Sequence, residues 1–494
     1  MTAAIRPTAS GASPSDRIRT RVAAAALVIS VASRLIWVFA GPHNFNFVDL
    51  RVYYEAAHRV VAGGLYDFAL TEYTPRQPLP FTYPPFAAIV FTPLHAVPFP
   101  VVALGWLILT VVLLYLVIAM SLAMLRAARG ESPALRDVPR STAMLWTAGV
   151  LWLDPVRTNL DYGQINVVLM ALGVWAAFIT VRYAPGGGAR YAPGGGARYA
   201  PGGGARYAPG GGARYAPGGG ARYAPGGGEG RWGGLRPAWS DGAAGALVGI
   251  AAGIKLTPAV GGLFLLARKR WWAAVASGVV FAATVGFGYV LLPAESRRYF
   301  TVLIGDTGPI GDPAKPDNQS LRGALSRFAG HDLGSGPAVL IAIGVAAVAL
   351  LAAWWVCRRG DALIALVLAQ SFGLFASPIS WIHHWVWIVP TLVWLVHGAS
   401  GATGGVHGAS GATGGVHGAS GATGVWARAL AVAYAAYSYV GVHGWCAVLG
   451  WLHIDSGPVW ALALCPNVVA TVGLVALILA GAYARRGGTA VSPG

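Results

Sequence analysis

Asp49 stands in Asn46-Phe47-Val48-Asp49-Leu50-Arg51, shortly after an apolar stretch, and Lys255 stands in Ile254-Lys255-Leu256-Thr257-Pro258 between two more. A carboxylate so placed can take the proton from an attacking hydroxyl, and an ammonium can hold an anion as charge develops on it. His383 and His384, flanked by Trp381 and Trp385, offer imidazole nitrogens, and Asn318, Gln319 and Arg322 form a polar cluster after Pro316. Each has a plainer reading. Asp49 alone is as good a loop acid as a base, and a histidine pair between tryptophans suits an interfacial aromatic belt. Arg34, inside the first apolar stretch, is either a snorkelling or paired structural charge or a phosphate contact. Lys255 is more telling, because a lysine at membrane depth is costly unless it meets an anion or water.

The elements that carry these residues follow from composition. The chain has 494 residues, of which 55% are hydrophobic and 11% charged, so lipid must solvate part of its surface. Apolar stretches near the ~20 residues that cross a bilayer recur. They include Val22–Ala40, Val101–Leu125, Trp271–Leu292, Pro337–Val356 and Pro458–Ala482. The expected fold class is therefore an all-α polytopic membrane protein with about 12 crossings.

Charge orients it. The formal net charge of +17 would suit a nucleic-acid binder, yet its location matters more than its sum. With Arg17, Arg19 and Arg21 in the cytoplasm, alternate crossings put 24 of the 35 Lys and Arg on that side, with only 6 of the 18 Asp and Glu. The other side takes 10 basic and 12 acidic residues, and Arg34 lies within the first span. That is the positive-inside pattern, and no nucleic-acid partner is needed to explain it. The polar candidates gather on the extracytoplasmic side. The first span ends in Phe39-Ala40-Gly41-Pro42 without a small-x-small cleavage site, so it reads as an uncleaved helix.

The expected organisation begins with a cytoplasmic N-terminus, 1–21, and a membrane module, 22–181, whose first outer loop is 42–84. Pro84 to Pro98 is short and proline-bounded, which suits a re-entrant or interfacial segment. Residues 182–240 are an expected disordered cytoplasmic linker: from Arg182 to Glu229 run six octads, RYAPGGGA five times and RYAPGGGE once. A central module, 241–396, opens with two half-length helices that return to the side they left, with Lys255 at the tip, and it carries an outer loop, 293–335. Residues 397–425 repeat HGASGATGGV and are read as a duplicated cytoplasmic loop, its histidines at 397, 407 and 417 included. Membrane helices fill 426–494. The three cysteines, Cys357, Cys446 and Cys465, have no metal-type spacing and imply no disulfide framework.

Seven segments resemble the polyprenol-phosphate-mannose-dependent α-(1→2)-mannosyltransferases of glycosyltransferase family 87, whose fold class is GT-C. They are VDLRVYYEAA around Asp49, GGLYDF (63–68), FTYPPFAA (81–88), YGQINVVLM (162–170), GIKLTP (253–258), DNQSLRG (317–323) and SPISWIHHWVWIVP ending at Pro390. Their order spans nearly the whole membrane portion and skips both repeats. The resemblance implies transfer of mannose from polyprenyl-phosphate-mannose to a glycolipid or lipoglycan of the phosphatidylinositol mannoside type, in the cell membrane, on its outer face. It implies that Asp49 is catalytic and that the motif histidines are His383 and His384, with His384 preferred for the site.

Such chemistry needs few residues. A departing phosphate is a weak base and requires no general acid, unlike the leaving oxygen of a glycoside. One carboxylate suffices, and attack on a β-linked donor gives an α-linked product. The phosphate then needs electropositive partners, for which Lys255, His383, His384, Arg322 and Arg34 are candidates. Tyr83, Gln164, Asn166, Asn318 and Gln319 suit sugar hydroxyls. No Asp-x-Asp motif occurs in the outer loops, so neither a metal nor another cofactor is expected. A lipid-linked sugar flippase is a competing class, since paired half-helices also occur in transporters. An arabinofuranose donor is a competing substrate.

Overall fold

A computed structural model describes residues 13–41, 45–72, 74, 78–184, 238–306, 308–357, 361–398 and 421–487. The octads beyond Ala184 and the second repeat from 399 to 420 lie outside the described residues. The rest is almost wholly helical, apart from one short hairpin, Ala69–Leu70 with Leu79–Pro80.

The first half consists of α1 (Pro14–Ala40), α2 (Val48–Ala62), α3 (Pro85–Phe91), α4 (Phe99–Ala128), α5 (Arg140–Val150), α6 (Asp154–Tyr162) and α7 (Asn166–Arg182). The second half has α8 (Ala238–Ile254), α9 (Gly261–Ala267), α10 (Trp271–Leu291), α11 (Pro293–Thr301), α12 (Leu321–Ala329), α13 (Pro337–Cys357) and α14 (Ala362–Ala376). A 3-10 segment, Ile382–Trp387, then leads into α15 (Ile388–Val393). The chain closes with α16 (Gly421–Trp451), α17 (Gly457–Ala463) and α18 (Pro466–Gly487). Among the described residues five helices are long and apolar enough to cross a membrane: Pro14–Ala40, Phe99–Ala128, Trp271–Leu291, Pro337–Trp355 and Pro466–Tyr483. The others are shorter or bent. The last expected span, 458–482, is broken: α17 stops at Ala463 and α18 begins at Pro466, because proline starts a helix but cannot continue one.

Three local features set the positions of Asp49, Gln164 and Lys255. First, the chain reaches α2 through Phe45 (φ 55°) and Phe47 (φ 44°), a left-handed conformation that L side chains adopt at a cost. It is held by an aromatic cluster of Phe39, Phe45, Phe47 and Phe99 and by Arg51, whose guanidinium lies 4.2 Å from the Phe99 ring and donates to Asn46 O at 2.9 Å. Asp49 falls in the first turn of α2. Second, α6 ends at Gly163 (φ 67°), where a Cβ would meet that of Leu50 at 2.5 Å, so glycine is required for both the turn and the approach to α2. Third, Gly245, Gly249 and Gly253 form a stripe on α8 against α10. A Cβ there would come within 2.3 Å of Ala273 O, 2.7 Å of Ser277 O and 2.3 Å of Thr284 Oγ1. This small-residue packing fixes the helix whose end carries Lys255.

The helices bring their ends to one cavity. Residues just beyond the C-terminal ends of α8 and α14 meet the first turn of α2 and the residues that lead into α7. Elsewhere in the bundle, buried Arg270 donates to Asp241 at 2.8 Å and to Thr180 O at 2.7 Å, while Arg129 donates to His397 O at 3.0 Å. Removing one partner of such a buried pair costs about 3–5 kcal/mol, so Arg270 anchors the end of α7 to the start of α8 and α10.

Candidate active site

The cavity has a volume of about 650 Å³. Its wall includes Asp49 and Tyr53 from α2, Tyr83, Gln164 between α6 and α7, Lys255 beyond α8, and His383 and His384 from the 3-10 segment. These residues are distant in sequence, and all but His383 are joined by hydrogen bonds. Gln164 is the hub. Its Oε1 accepts from Tyr53 at 3.0 Å, Tyr83 at 3.3 Å and Asn166 Nδ2 at 3.2 Å, which turns its amide NH₂ toward Asp49. Lys255 Nζ donates to Asn166 Oδ1 at 3.0 Å, lies 2.9 Å from His384 Nε2, and sits 5.2 Å from the centre of the Tyr83 ring.

Burial raises the Asp49 carboxyl to about 6, while the Gln164 hydrogen bond and the Lys255 charge hold it lower than burial alone would. The group is therefore ionised at neutral pH yet more basic than an exposed carboxylate, as a general base requires. The lysine contact leaves the Nε2 of His384 as an acceptor if the ammonium is charged, which places the ring proton on Nδ1. That Nδ1, and Nε2 of His383, are buried without a hydrogen-bond partner among the described residues. His383 and His384 pack edge to face at 4.9 Å, and the Tyr162 ring lies 5.9 Å from His383. Both imidazoles thus belong to the cavity, and His384 is the one that touches Lys255.

The other expected residues are placed differently. Asn166 is buried behind the wall and acts through Gln164 and Lys255. Arg34 pairs with Asp161 inside the bundle, with its guanidinium 5.4 Å from the Trp152 ring, and does not line the cavity. Arg322 is clamped to Asp332 by bonds of 2.8 and 2.6 Å and is likewise absent from the wall. Asn318 and Gln319 are fully buried braces. Asn318 ties Pro313 O and Pro378 O together and accepts from Ser380 N at 2.9 Å, while Gln319 donates to Pro316 O and Leu464 O. The Asn318 amide is consumed by backbone, and that of Gln319 by backbone and by Asn467 Nδ2, which donates to its Oε1 at 3.2 Å.

Four further residues that the spacing of polar groups does not single out, Tyr53, Tyr162, Asp317 and Trp381, also line the cavity. Tyr53 carries a signal, being one helical turn from Asp49. Tyr162 and Asp317 open the YGQINVVLM and DNQSLRG segments, and Trp381 stands two residues before His383.

A bundle of apolar helices with a carboxylate, a lysine and two imidazoles around one cavity defines a membrane protein with a charged polar site among its helices. Residues 81–195 and 231–378 match glycosyltransferase family 87, and the chain belongs to that family. It is 40% identical over 382 residues to the polyprenol-phosphate-mannose-dependent alpha-(1-2)-phosphatidylinositol pentamannoside mannosyltransferase of Mycobacterium tuberculosis (strain CDC 1551 / Oshkosh), covering 77% of this chain and 73% of that protein. The protein of the same name from Mycolicibacterium smegmatis is 40% identical over 79% of this chain and 80% of its own length. A phosphatidylinositol mannoside mannosyltransferase of Mycobacterium tuberculosis (strain ATCC 25618 / H37Rv) is 28% identical over 74% of this chain and 76% of its own length. No solved structure matches the chain.

Proposed function

We propose that this protein transfers mannose from polyprenyl-phosphate-mannose to a phosphatidylinositol mannoside or related glycolipid, making an α-(1→2) linkage. The observation that carries the reading is the convergence of Asp49, Lys255 and His384 in one cavity, in a chain 40% identical to enzymes named for that reaction. Asp49 takes the proton of the acceptor 2-hydroxyl as its oxygen attacks the anomeric carbon. The carbon–oxygen bond to phosphate breaks, and a β-linked mannose becomes α-linked. Lys255, held by Asn166 and His384, receives the phosphate oxygens, and His383 and His384 line the same wall, so that a fixed donor stands where negative charge collects. Gln164 orients Asp49, and Tyr83 packs on Lys255.

The arrangement supports a GT-C fold with about 12 crossings. The arginine-rich end faces the cytoplasm together with both termini, and the cavity opens at the outer leaflet of the plasma membrane. The test is transfer by purified protein in detergent, read by mass spectrometry of the glycolipid. Wild type should add one hexose from polyprenyl-phosphate-mannose. An Asp49→Asn variant should be slower by about 10²–10⁴-fold. Movement of donor lipid across vesicles without a new glycosidic bond, or use of an arabinofuranosyl donor alone, would replace this reading.

A further inference from the structure

Asp317 is the first residue of the Asp-Asn-Gln-Ser-Leu-Arg-Gly segment and has no part in the proton transfer or in holding the phosphate. It lines the same cavity as Asp49, its side chain 32% exposed. Burial raises its carboxyl, and the charges acting on it are those of His443, Asp154, Lys315 and Arg327 rather than Lys255. Tyr162 lines the cavity together with both acids. The next residue, Asn318, pairs with Trp381 in an antiparallel bridge, and Gln319 N donates to Ser380 O at 2.8 Å. The braces on Asn318 and Ser320, which donates to Pro378 O at 3.1 Å, weld residues 317–320 to 378–381. Asp317 and Trp381 both line the cavity, and that weld fixes the two backbone segments that carry them, with His383 and His384 two and three residues beyond Trp381.

An indole face and an acceptor-only carboxylate are complementary to a hexose, whose C–H face is apolar and whose vicinal hydroxyls are donors. We infer that Asp317 and Trp381 form the subsite for the terminal sugar of the acceptor, the ring stacking on Trp381 while two hydroxyls donate to Asp317. This subsite rests on the proposed transfer reaction. It turns the acceptor so that one hydroxyl, and no other, reaches Asp49, and the braces Asn318 and Gln319 act by keeping the two segments in register.

The experiment separates binding from transfer. Binding of a phosphatidylinositol mannoside and of polyprenyl-phosphate-mannose to the full chain in detergent is measured directly for wild type, Asp317→Asn, Trp381→Ala and Trp381→Phe, alongside KM for each substrate. Losing hydrogen bonds to a charged group corresponds to roughly a ten- to hundred-fold weaker acceptor Kd and higher acceptor KM in Asp317→Asn. Trp381→Ala should behave alike and Trp381→Phe should recover most of the loss, with donor Kd within two-fold throughout, which also reports a folded site. Unchanged acceptor binding in Asp317→Asn and Trp381→Ala overturns the subsite, and so does an equal loss of donor binding. If wild type binds the mannoside at this subsite yet transfers nothing, the subsite stands and the transfer reading fails.

Discussion

Replacing Asp49 by Asn should stop the chemistry while making the fold more stable, and the two effects have one cause. Burial lifts this carboxyl from 3.8 to about 6. A folded-state value above the unfolded one means the folded protein prefers the protonated acid, so ionisation at neutral pH destabilises it. A rise of two units corresponds to about 3 kcal/mol, an upper figure that relaxation of the site reduces. Asn is isosteric, keeps a partner for Gln164 and carries no charge, so it removes that cost. Thermal unfolding in detergent should therefore give Asp49→Asn a higher Tm than wild type at about pH 7.5. The difference should shrink as pH falls through about 6 and vanish below 3.8, where the acid is neutral in both states. Transfer measured on the same samples should drop by about 10²–10⁴-fold. In wild type the rate should rise with pH through about 6, since at about pH 5 roughly one site in eleven is ionised, and fall again above about 7 as the Lys255 ammonium, which burial lowers to about that value, loses its proton. A less stable Asp49→Asn, or a pH limb centred near the ordinary carboxylate value of about 4, would refute the assignment of Asp49 as a buried base.

Lys255→Met should raise donor KM at least ten-fold and move the pH limb upward, because the lysine charge holds the Asp49 carboxyl down; an unmoved limb would separate Lys255 from the carboxylate. Arg322→Ala should leave both KM values within two-fold of wild type, since its guanidinium is spent on Asp332; a selective loss of donor binding would restore it to the phosphate site. Gly163→Ala should cost about 2–4 kcal/mol, combining a left-handed alanine with a Cβ driven against Leu50. Because the strain falls on α2, its activity at a temperature where the variant is folded should fall further than that of an equally destabilised change far from the cavity.

What the sequence discloses depends on the range of the interaction. Long apolar runs are local, and Pro14–Ala40, Phe99–Ala128 and Trp271–Leu291 are legible by counting. The helix break that carries Lys255 is legible too, since Pro258 stands three residues further on and cannot continue a helix. The interruption at Pro466 is written in the chain but hidden by hydropathy averaging, which passes over a single proline. The glycine stripe of α8 is readable as a four-residue small-residue repeat. Side-chain partners at long range are not readable. Asn318 and Gln319 have the right chemistry for sugars, and only the proximity of Pro378 and Leu464 shows their amides already engaged. Arg34 is equally able to meet a phosphate until Asp161, 127 residues away, takes it.

The same division explains how a partly buried carboxylate and a partly buried lysine come to share one cavity without simply neutralising each other. A direct ion pair would pull Asp49 down toward the ordinary carboxylate range and leave it too weak to accept a proton. Here the structure interposes neutral groups: Lys255 bonds Asn166 and His384, Asn166 bonds Gln164, and Gln164 bonds Asp49. The Gln164 hydrogen bond and, through space, the lysine charge lower the acid, but not enough to cancel the effect of burial. Both groups line the cavity, where the proposed reaction has the carboxylate meet a hydroxyl proton and the ammonium an anion. A substrate pair carrying both, an alcohol on one molecule and a phosphate on the other, completes the pairing that the protein itself withholds. For the proposed reaction, the amide chain between Asp49 and Lys255 is what leaves the two charges available to two substrates instead of to each other.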